Sequence, residues 1–121
     1  MGDEITARNE EPHFTFQCVD HIDALDSAYR LRFDVYCVER AYLPPQDYPS
    51  GREIDEFDAH SLHFSAFNRA GDTVGTIRLV QPNSKGFPLL QHCELHDEAI
   101  PDEIVEISRL AVSKRYRRRA E

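Results

Sequence analysis

The sequence predicts an α/β domain built from short strands and few helices. Four segments alternate apolar and polar side chains as strands do, and the segment after the first of them repeats apolar residues at helical spacing. A turn signal joins the second and third strands. With 121 residues, the chain forms one domain at most. We expect the polar residues 1–12 to be flexible and residues 13–121 to fold.

The first strand and the helix follow from periodicity. Residues 13–19 alternate aromatic and polar side chains, which favours a strand. Residues 22–40 have helical spacing, and Asp20 or Asp23 is placed to cap the first turn. The predicted apolar stripe of this helix includes Leu25, Tyr29, Phe33 and Tyr36.

The loop at residues 43–53 holds three prolines and a glycine. A loop of this length in a small domain is typical of a functional lid, so we expect it to be mobile until substrate binds. Residues 60–68 and 73–81 form the next two strands, joined by the turn signal Arg-Ala-Gly-Asp. A second loop then precedes a short helix predicted at residues 89–98.

The last strand carries the first candidate for catalysis. Residues 104–113 alternate, which places Glu106 on the face of Leu110 and Val112. Arg109 falls on the opposite face. A carboxylate among apolar side chains is partly desolvated, which favours its uptake of a proton and predicts a general base. The candidate catalytic residues of this strand are Glu106, Ser108 and Arg109.

A basic run follows this strand. Residues 1–113 carry 9 basic and 21 acidic side chains, whereas residues 114–121 carry 5 basic and 1 acidic. Loop amides and guanidinium groups suit a phosphate, and the N-terminus of a helix completes such a site. Because the sequence stops at Glu121, before such a helix begins, we expect it to be the N-terminal part of a longer protein.

Carboxylates and arginines elsewhere predict a polar network. Asp55 and Asp58 lie three residues apart after the proline loop, where a solvated acidic turn is the simpler interpretation. A guanidinium buried within a helix or strand, however, requires carboxylate partners. The arginines predicted within such elements are Arg30, Arg32, Arg78 and Arg109. Together these residues indicate ion pairs across one face of the sheet.

The composition disfavours several functions. No segment is long and apolar enough to span a membrane and the first residues contain no apolar signal core, so we expect a cytoplasmic, bacterial protein. The net charge of -8 disfavours nucleic acid. His92 and His96 have chelating spacing but lack a third ligand, and we expect no metal. The three cysteines are expected to be buried free thiols.

As a set, these residues resemble a known family. The motifs are R-x-x-x-[FY] at Arg32 to Tyr36, an aromatic residue at Tyr42, D-x-x-D at Asp55 to Asp58, R-L at Arg78 to Leu79 and E-I-S-R at Glu106 to Arg109. Their order and spacing resemble the acyl-homoserine-lactone (autoinducer) synthases, the N-acyl amino acid synthases and the acyltransferases associated with PEP-CTERM/exosortase systems. The resemblance covers residues 13–120 and implies the N-terminal half of a GNAT-like (acyl-CoA N-acyltransferase) fold, with a mixed, mostly antiparallel sheet.

The resemblance also implies residue roles. Glu106 would accept the proton of an amine that attacks a thioester carbonyl, and backbone N–H groups of the last strand would stabilise the oxyanion. The acceptor side would consist of Arg32, Tyr36, Tyr42, Asp55, Asp58, Arg78 and Arg109. The donor, an acyl-CoA or the phosphopantetheine of an acyl carrier protein, would lie along Leu110 and Val112, with its phosphate on Arg115, Arg117, Arg118 and Arg119. No permanently bound cofactor is implied.

The chain departs from the family at several positions. Arg118 and Ala120 replace two glycines of the GNAT segment L-A-V-x-x-x-Y-R-G-R-G, which adds charge that suits an acidic acyl carrier protein. Tyr36 and Tyr42 stand where autoinducer synthases usually carry Phe and Trp, which favours an exosortase-associated or amino acid acyltransferase.

Two other interpretations stay open. The first is an ordinary GNAT acetyltransferase that uses acetyl-CoA. The second is a non-catalytic interaction module whose basic end binds an acidic partner. In either case, we expect the exposed edge of the last strand to pair with another molecule, as in a homodimer.

Overall fold

The computed structural model describes residues 13–93 and 103–117. Within them, the sheet has four antiparallel strands in sequential order: β1 (Thr15–Val19), β2 (Ser61–Phe67), β3 (Thr73–Val80) and β4 (Glu106–Val112). The helix α1 (Ile22–Phe33) continues directly into a π-helix (Asp34–Glu39) and packs mainly against β3 and β4. The predicted strands therefore all occur, with ends that differ by two residues or fewer. The helix predicted at residues 22–40 occurs as α1 followed by the π-helix, which ends at Glu39.

The interior lies between α1 and the sheet. Its apolar centre is formed by Leu31, Val35 and Ala111. The buried residues of the helical segment are Ala28, Leu31, Arg32, Val35 and Cys37. The predicted stripe of Leu25, Tyr29, Phe33 and Tyr36 is only half-buried, so the predicted face was displaced. The reason is Arg32, because a charge in the middle of the buried face hides its helical pattern.

β4 contains a β-bulge. On either side of the bulge, Thr76 pairs with Ala111 and Arg78 pairs with Ser108. Arg109 and Leu110 therefore lie together opposite Ile77, one residue too many for regular pairing. Arg109 adopts a left-handed φ of 55°, a conformation that is strained for a residue other than glycine.

The bulge overturns the predicted faces of β4. Glu106 pairs with the buried Val80 and lies on the helix side, but the extra residue reverses the alternation beyond Ser108. Ala111 is consequently buried, whereas Leu110 is exposed on the other face. The prediction that Glu106 shares a face with Leu110 and opposes Arg109 is therefore wrong.

The predicted cap of α1 is wrong. The N-cap is His21, and its side chain makes no capping hydrogen bond. Asp20 lies one residue too early to cap, and Asp23 lies inside the first turn.

The short helix predicted at residues 89–98 is described only at its start. A 3₁₀ helix spans Pro88–Gln91, and residues 94–98 lie outside the described part of the chain.

The cysteines follow the prediction only in part. All three are free thiols, but Cys37 alone is buried, whereas Cys18 and Cys93 are exposed. Cys18 faces the side of the sheet away from α1, and Cys93 follows a surface turn. Among the described residues, no helix has both the length and the apolar character needed to cross a membrane.

Candidate functional site

Six charged side chains form a cluster on the helix side of the sheet, which we call the ion network. Its members are Arg32, Glu53, Asp55, Asp58, Arg78 and Arg109. Three positive and three negative groups are formally balanced. Arg32 and Arg78 are 1% exposed and Glu53 is 0% exposed, so most of the network is removed from water. A buried network of this kind is stable only when its charges are mutually paired.

Asp58 is the centre of the ion network. Its carboxylate accepts hydrogen bonds from both terminal nitrogens of Arg32, at 2.6 and 3.0 Å, and lies 3.2 Å from the Nη1 of Arg78. It also bonds the Nε2 of His63 at 3.0 Å and accepts the backbone N–H of Asp55 at 2.8 Å. Burial alone raises the pKa of Asp58, but the bonds from His63 and Arg32 lower it well below the ordinary 3.8.

Glu53 joins the end of the proline loop to both layers of the fold. Its Oε1 accepts hydrogen bonds from the Nε of Arg32 at 2.8 Å and from the Nε of Arg109 at 3.1 Å. Its backbone N–H donates to the carbonyl of Tyr29 at 3.1 Å. The loop therefore ends in a residue that contacts α1 and the β4 bulge at once.

Ser108 enters the network through Arg78. The Nε of Arg78 donates to the Ser108 hydroxyl at 3.0 Å, and its Nη1 donates to Asp55 at 2.5 Å. The Nη2 of Arg109 donates to the other oxygen of Asp55 at 3.2 Å. The structure thus brings together six predicted residues, and Arg109 lies on the opposite face from the one predicted because of the bulge. Arg30 does not join them, since it lies on the surface paired with Asp26.

The two predicted tyrosines border the network. The guanidinium of Arg109 lies 5.7 Å from the centre of the Tyr36 ring, and the rings of Tyr36 and Tyr42 are 6.2 Å apart. Tyr36 is half-buried, whereas Tyr42 is 67% exposed. With Leu110 and Val112 they line a groove of about 310 Å³, which is completed by Val35, Arg40 and Arg117.

Glu106 occupies the start of β4. It is half-buried, and its Oε1 accepts the backbone N–H of Leu89 at 2.9 Å. Among the described residues, its hydrogen bonds and ion pairs do not include a member of the ion network. A carboxylate has more acceptor sites than this single bond uses, so Glu106 can accept a further hydrogen bond from a ligand.

The basic end of the chain is placed in part. Lys114–Tyr116 forms a 3₁₀ turn, in which Arg115 lies over the ring of Tyr116 at 5.6 Å. Arg117 pairs with Glu39 at the end of the π-helix, and this hydrogen bond lowers the pKa of Glu39. Arg117 is therefore engaged by a carboxylate rather than free. Arg118 and Arg119 lie outside the described residues, as does His96.

A family comparison accords with this geometry. Residues 31–121 match the model of a family described as "Acetyltransferase (GNAT) domain". The chain belongs to the GNAT family. No curated protein is significantly similar to this GNAT chain in sequence.

Solved structures show the same GNAT fold. FeeM, an N-acyl amino acid synthase from uncultured soil microbes, is 18% identical with a TM-score of 0.57, over 86% of this chain and 54% of that protein. The AHL synthase LasI is 23% identical with a TM-score of 0.61, over 86% of this chain and 55% of LasI. TofI, solved with an inhibitor and MTA, is 17% identical with a TM-score of 0.55, over 83% and 56%. The chain thus spans a little over half the length of these proteins.

The sequence prediction missed two members of the site in this GNAT chain. Glu53 is the third carboxylate that the three arginines of the ion network require, and it stands two residues before Asp55 in E-I-D-E-F-D, so a charge balance was the available signal. His63 lies 5% exposed on β2 against Asp58. Its inward position follows from the alternation of β2, but its partner depends on the tertiary fold.

Proposed function

We propose that this chain supplies the acceptor side and the thioester edge of an N-acyltransferase. The enzyme transfers a long-chain acyl group from an acyl carrier protein or coenzyme A thioester to the amine of a small, amino-acid-like acceptor. The observation that carries the proposal is the bulge of β4, where Arg109 is held in a left-handed conformation by two carboxylates of the ion network.

The bulge suits the carbonyl of the donor. A bulge leaves its extra residue outside the regular ladder of hydrogen bonds, so backbone N–H groups become available to a ligand. Such groups, fixed before reaction, stabilise the negative oxygen that forms when a thioester is attacked. We assign this role to the backbone at Arg109 and Leu110.

The solvent-facing part of the ion network suits an amino-acid-like acceptor. Arg109 is 25% exposed and Asp55 is 23% exposed, whereas the other two arginines of the network are buried. These two side chains present one positive and one negative group beside the bulge. A guanidinium matches a carboxylate of the acceptor, and the carboxylate of Asp55 matches its amino group on binding.

The reaction then proceeds by nucleophilic attack. The neutral amine nitrogen attacks the thioester carbonyl carbon, a C–N bond forms, and the C–S bond breaks to release the thiolate. Glu106 accepts the proton lost by the amine, directly or through one water molecule, and that proton returns to the thiolate. The products are an amide and a free thiol.

The donor arm is assigned to the groove that Leu110 and Val112 line. Arg40 and Arg117 border this groove, and Arg115 is exposed nearby in sequence. These arginines, together with Arg118 and Arg119, favour an anionic donor, and their excess of positive charge suits an acidic acyl carrier protein.

We further propose a cytoplasmic enzyme associated with an exosortase system, with the loop at residues 43–53 as its mobile lid. β4 is an edge strand of the described sheet and a candidate surface for pairing with a second copy.

The test is acyl transfer by the full-length protein. Acyl carrier protein and coenzyme A donors, from acetyl to palmitoyl, are assayed against a panel of amino acids, with wild type, Glu106→Gln and the control Glu56→Gln. Glu56 is exposed and its contact is the surface residue Lys85. We expect Glu106→Gln to lower the rate by about 100-fold with donor binding little changed, and Glu56→Gln to match wild type.

Each other outcome has a definite meaning. Transfer of acetyl groups alone supports an ordinary acetyltransferase. Full activity of Glu106→Gln shows that the assigned base is wrong. A wild-type protein that acylates no member of the panel supports the interaction module.

A further inference from the structure

Tyr36 makes contacts in two directions at the centre of the candidate site. Its hydroxyl donates a hydrogen bond to the backbone carbonyl of Leu110 at 2.6 Å, inside the β4 bulge. Its own carbonyl accepts the N–H groups of Tyr42 at 2.8 Å and Leu43 at 3.1 Å, where the proline loop begins. Its ring lies beside the guanidinium of Arg109. One residue therefore touches both the bulge and the loop.

The π-helix explains how Tyr36 reaches both. In this segment the N–H of Arg40 donates to the carbonyl of Val35 at 2.9 Å, five residues earlier. The helix ends there, and Ala41 takes a left-handed φ of 55°, which turns the chain back so that the next two N–H groups meet the Tyr36 carbonyl. Short π-helical segments are frequent at functional sites, where they shift a side chain out of regular register.

We propose that Tyr36 is a positioning residue that fixes the carbonyl of Leu110 in the bulge and ties the bulge to the start of the proline loop. The proposal rests on the proposed acyl transfer, because the bulge matters as the site of the thioester. Since a peptide unit is planar, holding the Leu110 carbonyl sets the orientation of the Leu110–Ala111 peptide. Through the Cα of Leu110, this also constrains the preceding peptide, which carries the Leu110 N–H assigned to the oxyanion. Tyr36 acts on the reaction through the backbone of β4.

The phenol suits this role as a permanent donor. Burial raises the pKa of Tyr36 above its ordinary value of 10, so the hydroxyl keeps its proton at neutral pH. The end of the same loop is held by Glu53 to Arg109. The loop is therefore tied to adjacent residues of the bulge, at its start through Tyr36 and at its end through Glu53. The hydroxyl of Tyr36 is the part of this arrangement that one conservative substitution removes.

The experiment compares Tyr36→Phe with Tyr48→Phe in the full-length protein. Tyr48 is a half-buried tyrosine of the same loop, so its variant makes the same chemical deletion but leaves the hydrogen bond to the Leu110 carbonyl in place. The first measurement is kcat and KM for acyl transfer. The second is amide hydrogen exchange of residues 106–112, which reports local opening of β4 whether or not the protein is active.

We expect Tyr36→Phe to lower kcat by about 10-fold with the KM for the donor little changed, and to speed exchange in β4. Tyr48→Phe should resemble wild type in both measurements. An unchanged kcat, or a lowered kcat with unchanged exchange in β4, overturns the positioning role. If wild type transfers no acyl group, the proposed function fails. The exchange measurement is independent of activity: if Tyr36→Phe does not change the exchange rate of β4, the hydroxyl does not hold the bulge.

Discussion

The two faces of the sheet reverse the usual distribution of polar and apolar side chains. The face beneath α1 buries charged groups of the ion network, with Arg32 and Arg78 each 1% exposed. The opposite face exposes large apolar side chains, such as Phe16 at 77% and Ile107 at 64%. Globular domains normally bury apolar surface and leave charge in water.

This difference separates what positions the site from what surrounds it. Removing charged groups from water is costly. Well-packed apolar residues in place of a buried ion network often make a protein as stable as the network does, or more stable. We therefore interpret the ion network as a device that fixes β4 and the end of the proline loop at Glu53, rather than as the main source of stability. The exposed apolar face, in contrast, has the character of a surface that associates with other protein.

The largest expected effect comes from removing a charge at the centre of the buried face. Asp58→Asn leaves the guanidinium groups of Arg32 and Arg78 short of one buried counter-charge. We expect the free energy of unfolding to fall by about 3–5 kcal/mol, measured by denaturant titration. Asp26→Asn removes a similar carboxylate that pairs with Arg30 and Arg52 on the surface, and it should change little. Equal effects of the two variants would remove the contrast between buried and exposed pairs.

Acid should weaken the same face. Because the pKa of Asp58 is lowered in the folded protein, the unfolded chain takes up this proton first as the pH falls below about 3.8. The stabilisation is therefore fully present above that pH and is lost below it, at about 1.4 kcal/mol per pH unit for this one group. Denaturant titrations from pH 5 down to about pH 2.5 should show this slope in wild type and a shallower one in Asp58→Asn. Parallel curves would show that Asp58 is not the group responsible.

The strain of the bulge should be measurable at Arg109. Arg109→Ala and Arg109→Gly lose the same ion pairs, but glycine accepts the left-handed φ without cost. The glycine variant should be more stable than the alanine variant by about 1 kcal/mol. Among the described residues, Ala41 is the other non-glycine residue with a left-handed φ, so Ala41→Gly should also stabilise the protein. An alanine variant as stable as the glycine variant would show that the bulge relaxes when the side chain is lost.

The smallest effect on stability is expected on the exposed apolar face. Ile107→Lys should change the free energy of unfolding by about 0.5 kcal/mol or less, because the side chain is already largely in water. The same change should weaken self-association through the β4 edge, as seen by light scattering at high concentration. A wild-type protein that stays monomeric at high concentration would count against association through this surface.

The sequence predicted the secondary structure better than the geometry of β4. The strands and the long helix follow from period and turn signals. In E-I-S-R-L-A-V, two polar residues and then three apolar residues stand in succession, and no glycine marks the left-handed position. Such a pattern does not locate a bulge of one residue. It is fixed instead by the contacts of Arg109 with Glu53 and Asp55, which are 56 and 54 residues away in the chain.

The ion network was predictable in outline, because arginines in buried elements require carboxylates. Glu53 follows from the balance of charge. The pairing of Arg117 with Glu39 could not be predicted from the sequence, because it depends on where the π-helix ends.

The most direct test of the central claim is the stoichiometry of acyl transfer. The full-length protein is mixed with a long-chain acyl thioester and an amino acid, and the free thiol and the N-acyl product are quantified in the same sample. We expect one amide for each thiol released, and no thiol release beyond the uncatalysed rate when the amino acid is omitted. Thiol release without amide, or neither product at any donor length, would contradict it.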